Sequence, residues 1–172
     1  MTKKYQSMKI TKAHIEKAQK EWIAGLVHIG QSIKKGGNGK PETEAFITKF
    51  YDYDNGKVLF KPTLAIGKQT FRPTKEGAIS YFLAGNPNYP NDIGFALLIF
   101  EEGYTEMLDE IILGENAIVM CKMHLTAKDG SIKSVDKTFA YRLTKDGDLK
   151  IIAHHSSLLY NPWFKYLRKF MS

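Results

Sequence analysis

The sequence has few of the features that indicate a secreted, membrane-bound or redox protein. It contains a single cysteine, Cys121, so it cannot form an intramolecular disulfide. Its longest unbroken apolar runs, such as residues 95–100, are far too short to cross a bilayer. The opening MTKKYQSMKI carries charge but is followed by no apolar segment, so no secretory leader is expected. The sequence therefore predicts a cytoplasmic protein without a membrane span.

The sequence also lacks a concentrated basic patch. The formal net charge is +7, from 25 lysines and arginines against 18 aspartates and glutamates. The lysines are scattered singly among acidic residues, and only the tail WFKYLRKFMS approaches a cluster. We therefore expect no nucleic-acid partner. An excess of positive charge can still draw small anions towards a pocket.

Recognisable metal-ligand spacings are absent as well. His14, His28 and His124 are isolated, with no His-x-His or His-Glu-x-x-His pattern around them. The remaining two, His154 and His155, are adjacent, and neighbours on a regular strand point to opposite faces. The residues by themselves therefore predict no metal site.

Helical patterns fill the first half of the chain. Residues 11–33 carry apolar side chains at steps of three and four, which predicts one face of a long helix. A second helix is predicted to begin near Pro41, which suits a first helical turn. A third is predicted from the N-cap Thr74 to about Leu83.

Strand-like runs fill the second half of the chain. They lie near residues 95–100, 104–112, 116–126, 132–143 and 149–160, and Asp-Gly pairs separate the last three. An Asp-Gly pair between two such runs is a strong hairpin signal. Helices followed by a meander of strands predict an α+β fold, in which helices pack on one face of a curved antiparallel sheet.

Four successive polar residues interrupt the last predicted strand, in the stretch LKIIAHHSSLLYNPW. Strict alternation places Ile152, His154 and Ser156 on one face, and His155 and Ser157 on the other. The polar groups could be satisfied partners in a subunit interface. A Ser-His nucleophile pair is a second reading, although no Gly-x-Ser-x-Gly motif accompanies it.

Four segments in order, YDYDNGKVLFKPT, FRPTKEGAISYF, GFA and DGDLKIIAHHSS, resemble the iota-class carbonic anhydrases. That family belongs to the nuclear-transport-factor-2-like superfamily, close to the association domain of calcium/calmodulin-dependent protein kinase. The resemblance covers about residues 13–160. It implies a cone of one long N-terminal helix and two shorter helices on a curved antiparallel sheet, and a homodimer or larger homo-oligomer. We expect one domain over residues 1–160 and a helical extension over 161–172.

The resemblance also implies a site. In members that work without metal, a threonine, a tyrosine, a histidine and a serine line the pocket that holds bicarbonate. The matching positions are Thr63, Tyr81, His154 and Ser156, with Ser157 as a further substrate contact. The implied activity is reversible hydration of carbon dioxide without a cofactor. Some members depend on metal, so zinc or manganese stays an alternative.

The residue types suit that chemistry. A histidine with an ordinary pKa of about 6.5 is the natural base near neutral pH. The hydroxyls of Thr63, Tyr81 and Ser156 can donate to oxygens that gain negative charge, as an oxyanion hole does. Two alternatives share the fold: a non-catalytic assembly or ligand-binding module of the kinase-association type, and an enzyme of the polyketide-cyclase or isomerase type. A carbon dioxide site should be small and polar, whereas a cyclase pocket should be large and apolar.

Overall fold

The computed structural model describes residues 9–160, in which three helices pack on one face of a sheet. Helix α1 spans Lys12–Lys34, α2 spans Lys40–Phe50 and α3 spans Lys75–Leu83. Both ends of α1 and α3 and the start of α2 lie within a residue or two of the positions predicted from the sequence. The helical extension predicted for residues 161–172 lies outside the described residues.

Local side chains fix where the first and third helices begin. The Thr11 hydroxyl accepts a hydrogen bond from the His14 amide, and the Thr74 hydroxyl accepts one from the Gly77 amide. Both threonines satisfy amides that the first turn of a helix leaves free. Within residues 9–160 no helix is long and apolar enough to span a membrane.

Five strands form one sheet in the order β1-β5-β4-β3-β2. Their bounds are Leu59–Lys61 for β1, Phe100–Leu113 for β2, Asn116–Ala127 for β3, Ile132–Leu143 for β4 and Leu149–Leu158 for β5. The last four strands form the predicted antiparallel meander, and the α+β fold class is confirmed.

Two details of the sheet differ from the prediction. Strand β1 pairs with β5 in parallel, so the sheet is mixed rather than purely antiparallel. Parallel neighbours need a long crossover, and everything between β1 and β5 in the chain provides it. The predicted strand at 95–100 is instead a 3₁₀ turn, Phe95–Leu98, which precedes β2. Gly94 and Ile99 flank this turn with positive φ angles, which an extended strand excludes.

A bulge in β5 changes which side chains face inward. Ile151 and Ala153 lie opposite consecutive residues of β4, so Ile152 is an extra residue in the strand. The prediction that Ile152 shares a face with His154 is therefore wrong, because Ile151 takes that place and is 1% exposed. His154 and Ser156 follow the bulge and both face the helices, as predicted.

Aromatic side chains dominate the core between the helices and the sheet. Trp22 of α1 packs edge-on against Phe46 of α2, Phe82 of α3 and Phe139 of β4. This packing surrounds the inner face of β5 with apolar rings. Polar groups placed there are removed from water and need partners within the protein.

Candidate active site

The parallel pairing of β1 with β5 brings two of the predicted hydroxyls together. It places Phe60 opposite His154. The chain continues past β1 in the same direction as β5, so Thr63 comes alongside Ser156. The Thr63 Oγ1 atom lies 2.6 Å from Ser156 Oγ, a hydrogen bond in which either hydroxyl can donate.

Helix α3 contributes the Tyr81 hydroxyl beside this pair. The Tyr81 side chain is buried, and burial raises the pKa of its hydroxyl, an effect that the neighbouring Thr63 hydroxyl opposes. Thr63 is close enough for this influence, but no described residue meets the geometry of a hydrogen bond to Tyr81 Oη. A buried hydroxyl without a partner is costly. The Tyr81 hydroxyl is therefore a hydrogen-bond donor available to a small ligand.

His154 is enclosed by aromatic rings. Its side chain is 2% exposed and lies between Phe60 and Phe139, with ring centroids at 4.8 and 4.4 Å. Burial lowers the pKa of His154 well below its ordinary value, and the nearby Lys137 lowers it further. The imidazole is therefore neutral at pH 7.

Both ring nitrogens of His154 have protein partners. Nδ1 lies 2.9 Å from the Tyr51 hydroxyl, which accepts a hydrogen bond from Trp22 Nε1 at 3.3 Å. Nε2 lies 3.0 Å from Lys137 Nζ, and the same Nζ donates to Ser156 Oγ at 3.3 Å. The imidazole is thus held in one orientation and linked to the hydroxyl pair through Lys137.

Lys137 is the residue of this site that sequence reasoning missed. It is 4% exposed, and its Nζ lies 4.8 Å from the centre of the Trp22 ring. Burial lowers the pKa of Lys137 from 10.5 to about 7. Among the described residues it forms no ion pair. The sequence pattern that could have identified Lys137 is the alternation in β4, which places it at an inward position between Val135 and Phe139.

These groups form a continuous hydrogen-bonded series, which we call the buried polar chain. In order, its members are Trp22, Tyr51, His154, Lys137, Ser156 and Thr63. A neutral imidazole and a buried amine lie in its middle and hydroxyls at one end, and it contains no carboxylate. Such an arrangement can donate hydrogen bonds to a small anion and accept a proton beside it.

The structure therefore brings together four of the five predicted site residues. Thr63, Tyr81, His154 and Ser156 lie on the inner side of the sheet. Ser157 lies on the outer face, where it and His155 line an open groove of about 560 Å³. Within the described residues, no group of three or more histidine, cysteine, aspartate or glutamate side chains is placed to hold a metal ion.

Comparison with known proteins decides the family. A family model described as metal-independent carbonic anhydrase matches residues 13–158. The chain belongs to this family. A metal-independent carbonic anhydrase from Nostoc sp. is 39% identical over 153 residues, which are 88% of this chain and 75% of that protein. The resemblance to iota-class carbonic anhydrases predicted from the sequence is confirmed.

A solved structure agrees with the assignment to the metal-independent carbonic anhydrases. The crystal structure of a cyanobacterial iota-carbonic anhydrase complexed with bicarbonate aligns with a TM-score of 0.89 and 37% identity. The alignment covers 94% of this chain and 99% of that one. A conserved protein from Planctomyces limnophilus aligns with a TM-score of 0.53 at 10% identity, over 86% of this chain and 95% of its own. That likeness shows the fold alone.

Proposed function

We propose that this protein catalyses the reversible hydration of carbon dioxide to bicarbonate without a metal ion. The observation that carries the proposal is the meeting of three hydroxyls, from Thr63, Tyr81 and Ser156, beside a neutral imidazole. Membership of the metal-independent carbonic anhydrase family supports it. So does the likeness to a structure solved with bicarbonate.

The hydroxyls match the charge that develops in the reaction. When water attacks carbon dioxide, a new C–O bond forms and a π-electron pair moves onto a carbon dioxide oxygen. Tyr81 supplies one hydroxyl donor for the oxygens of this transition state, and the Thr63–Ser156 pair, which shares one of its two protons internally, supplies a second. One well-placed donor of this kind is worth about 10²–10³ in rate.

A basic group must take the proton that the attacking water loses. His154 provides an imidazole that is neutral at pH 7, so it is not already protonated when water arrives. A positioned base contributes about 10²–10⁴ in rate. Together with the hydroxyl donors, this is sufficient for a hydratase that uses side chains alone.

The proposal predicts hydration activity that does not depend on metal. Stopped-flow measurement should give a rate above the uncatalysed reaction, and dialysis against a chelator should leave that rate unchanged. Ser156→Ala should lower the rate by about 10²–10³, since it removes one donor and the partner of Thr63. One equivalent of zinc or manganese per chain, lost together with the activity, would contradict the metal-free proposal.

The non-catalytic alternative has its own outcome in the same assay. A folded protein that binds bicarbonate without accelerating hydration would favour a ligand-binding or assembly module of the kinase-association type. The cyclase reading is less favoured, because the family match is to metal-independent carbonic anhydrases and the side chains that meet at Ser156 are the Thr63 hydroxyl and the Lys137 amine.

We also propose that two copies of the chain associate through the outer face of the sheet. One row of paired residues crosses all five strands there and is apolar throughout: Leu59, Ala153, Ala140, Ile118 and Ile111. Leu59 is 73% exposed and Ile111 is 60% exposed. A second copy of the same face would remove this row from water and form an isologous interface.

The interface proposal predicts a homo-oligomer at micromolar concentration. Light scattering should give at least twice the mass of one chain, and Ile118→Lys should reduce it because a charge in the apolar row would be buried unpaired. Ile93→Lys is the matched control, since Ile93 is also exposed but lies in a loop outside the sheet. A wild-type monomer would contradict the interface.

The partner and location follow from the same proposal. We propose carbon dioxide and bicarbonate as the small-molecule partners, no nucleic acid and a cytoplasmic location. The scattered positions of the lysines support the absence of a nucleic-acid partner. The location stays a prediction, which fractionation of cells would test.

A further inference from the structure

Lys137 is a buried amine that the reaction outlined above does not use. It lies at an inward position of β4 and touches both the imidazole of His154 and the hydroxyl of Ser156. Burying a lysine without a carboxylate partner is expensive. An uncharged residue at this position would avoid that cost. A chemical role for the amine would explain why a lysine is present there.

The hydrogen bonds of the buried polar chain indicate that this amine is uncharged at rest. Trp22 can only donate to Tyr51, and the Tyr51 hydroxyl can then donate to Nδ1 of His154. His154 consequently carries its proton on Nε2 and donates it to Lys137 Nζ. Only a neutral amine has the lone pair to accept it, and the same amine donates to Ser156.

A charged Lys137 leaves this series unsatisfied. An ammonium group has three donors and no acceptor, so Nε2 of His154 has to accept and Nδ1 has to donate to Tyr51. Tyr51 Oη then accepts from both Trp22 and His154, and its own proton has no acceptor among these groups. The neutral amine satisfies every member, whereas the ammonium leaves a buried hydroxyl proton without a partner.

We propose that Lys137 is the proton acceptor of the site, receiving the proton of the attacking water across Ser156 and holding it until buffer removes it. This inference rests on the proposed hydration of carbon dioxide and moves the role of base from the His154 imidazole to Lys137, because both ring nitrogens of His154 already have protein partners. Lys137 acts through Ser156 rather than on the substrate directly. His154 is then the group that positions the amine and stays neutral during turnover.

The proposed step balances in atoms and charge. The water oxygen forms a bond to the carbon of carbon dioxide as one water O–H bond breaks. The Lys137 amine first turns its lone pair from His154 Nε2–H to the Ser156 hydroxyl, 3.3 Å away. The Ser156 oxygen then takes the water proton while its own proton passes to Nζ. The products are bicarbonate and a lysine ammonium, and a buffer base then returns the amine to its neutral form.

The surroundings of Lys137 suit a group that changes charge near neutral pH. Burial lowers the pKa of Lys137 to about 7, and a base is most effective when its pKa lies near the working pH. The pKa of His154 is well below 6.5, so a proton shared by the pair rests on the amine. Titratable side chains around the two nitrogens include Cys121 of β3, Tyr141 of β4, Tyr81 of α3 and Tyr51 after α2, and burial raises the pKa of each of these four, so they are neutral at pH 7. The adjacent His155 lowers the pKa of His154 further, and the Lys61 amine donates to the backbone carbonyl of Ser156.

The test is the pH profile of hydration in Lys137→Met. Methionine keeps the length of the side chain and suits its apolar surroundings, but it cannot accept a proton. In wild-type protein the rate should fall as pH drops through about 7. In the variant the rate should be lower by about 10²-fold or more, and that inflection should be lost. Lys133→Met is the matched control, because it makes the same side-chain change at an exposed position of the same strand.

Each outcome of this experiment has a clear reading. A folded Lys137→Met protein with the wild-type rate and inflection overturns the inference and leaves the proposed hydration intact. A wild-type protein without hydration activity overturns both. If Lys137→Met does not fold, nuclear magnetic resonance of lysine side chains in the wild type decides. The inference requires the Lys137 amine to be neutral at pH 8.5 and charged at pH 5.5, and an ammonium at both values overturns it.

Discussion

His154→Ala is expected to lower the rate of carbon dioxide hydration by about 10²–10⁴, the range for a lost base or for its misplacement. The reason is that Nε2 of His154 holds Lys137 at 3.0 Å, and Lys137 in turn meets Ser156. Without the ring, the amine loses the N–H group that donates to it and, with that group, its orientation. Stopped-flow measurement per folded chain checks the result.

The same substitution should also cost stability. The imidazole fills the space between Phe60 and Phe139, so alanine leaves a cavity in a packed aromatic region. Truncating a large buried side chain typically costs about 2–5 kcal/mol. The assay therefore needs a temperature well below the melting temperature of the variant, verified by circular dichroism.

His155→Ala is the matched control for this prediction. His155 is the neighbouring imidazole in the same strand, but it is exposed on the outer face of the sheet. Its loss should leave the hydration rate per folded chain unchanged and affect only association through that face. An inactive His155→Ala beside an active His154→Ala would reverse the assignment of the two faces.

Lys137→Met is expected to change how stability depends on pH. Folded Lys137 has a pKa of about 7, whereas an unfolded lysine has its ordinary value of 10.5. Between these values the unfolded chain binds one proton more than the folded chain at this position. The free energy of unfolding of the wild type should therefore rise with pH, by about 1.4 kcal/mol per unit.

The variant lacks this contribution, so the difference between the two proteins isolates it. From pH 7 to pH 9 the wild type should gain about 2–3 kcal/mol relative to Lys137→Met, measured by denaturant unfolding at each pH. Cys121 and the buried tyrosines also titrate differently on unfolding, but they do so in both proteins. A difference that does not vary with pH would mean that folded Lys137 keeps its ordinary pKa.

The sequence alone was enough to predict the three helices, the four strands of the meander and the face of the key histidine. Steps of three and four gave helix α1, and the cap Thr74 gave the start of α3 within one residue. Alternation placed His154 and Ser156 on one face of β5, because side chains in a strand point alternately to its two sides. The family resemblance supplied Thr63 and Tyr81, which no local pattern connects to the histidine.

Only the tertiary structure decided which side chains meet. Thr63 reaches Ser156 because β1 pairs with β5 in parallel, a contact between residues 93 positions apart that periodicity does not encode. The bulge at Ile152 likewise depends on how β4 and β5 pair.

Lys137 shows most clearly the difference between what the sequence determines and what the tertiary structure decides. Its inward position in β4 is visible in the alternation of that strand, but its chemistry is not. A lysine on the surface is charged at neutral pH, whereas the pKa of this one is lowered to about 7, because aromatic rings exclude water and no carboxylate among residues 9–160 stabilises its ammonium form. Sequence sets which face a side chain occupies, whereas its protonation depends on the residues that the fold gathers around it.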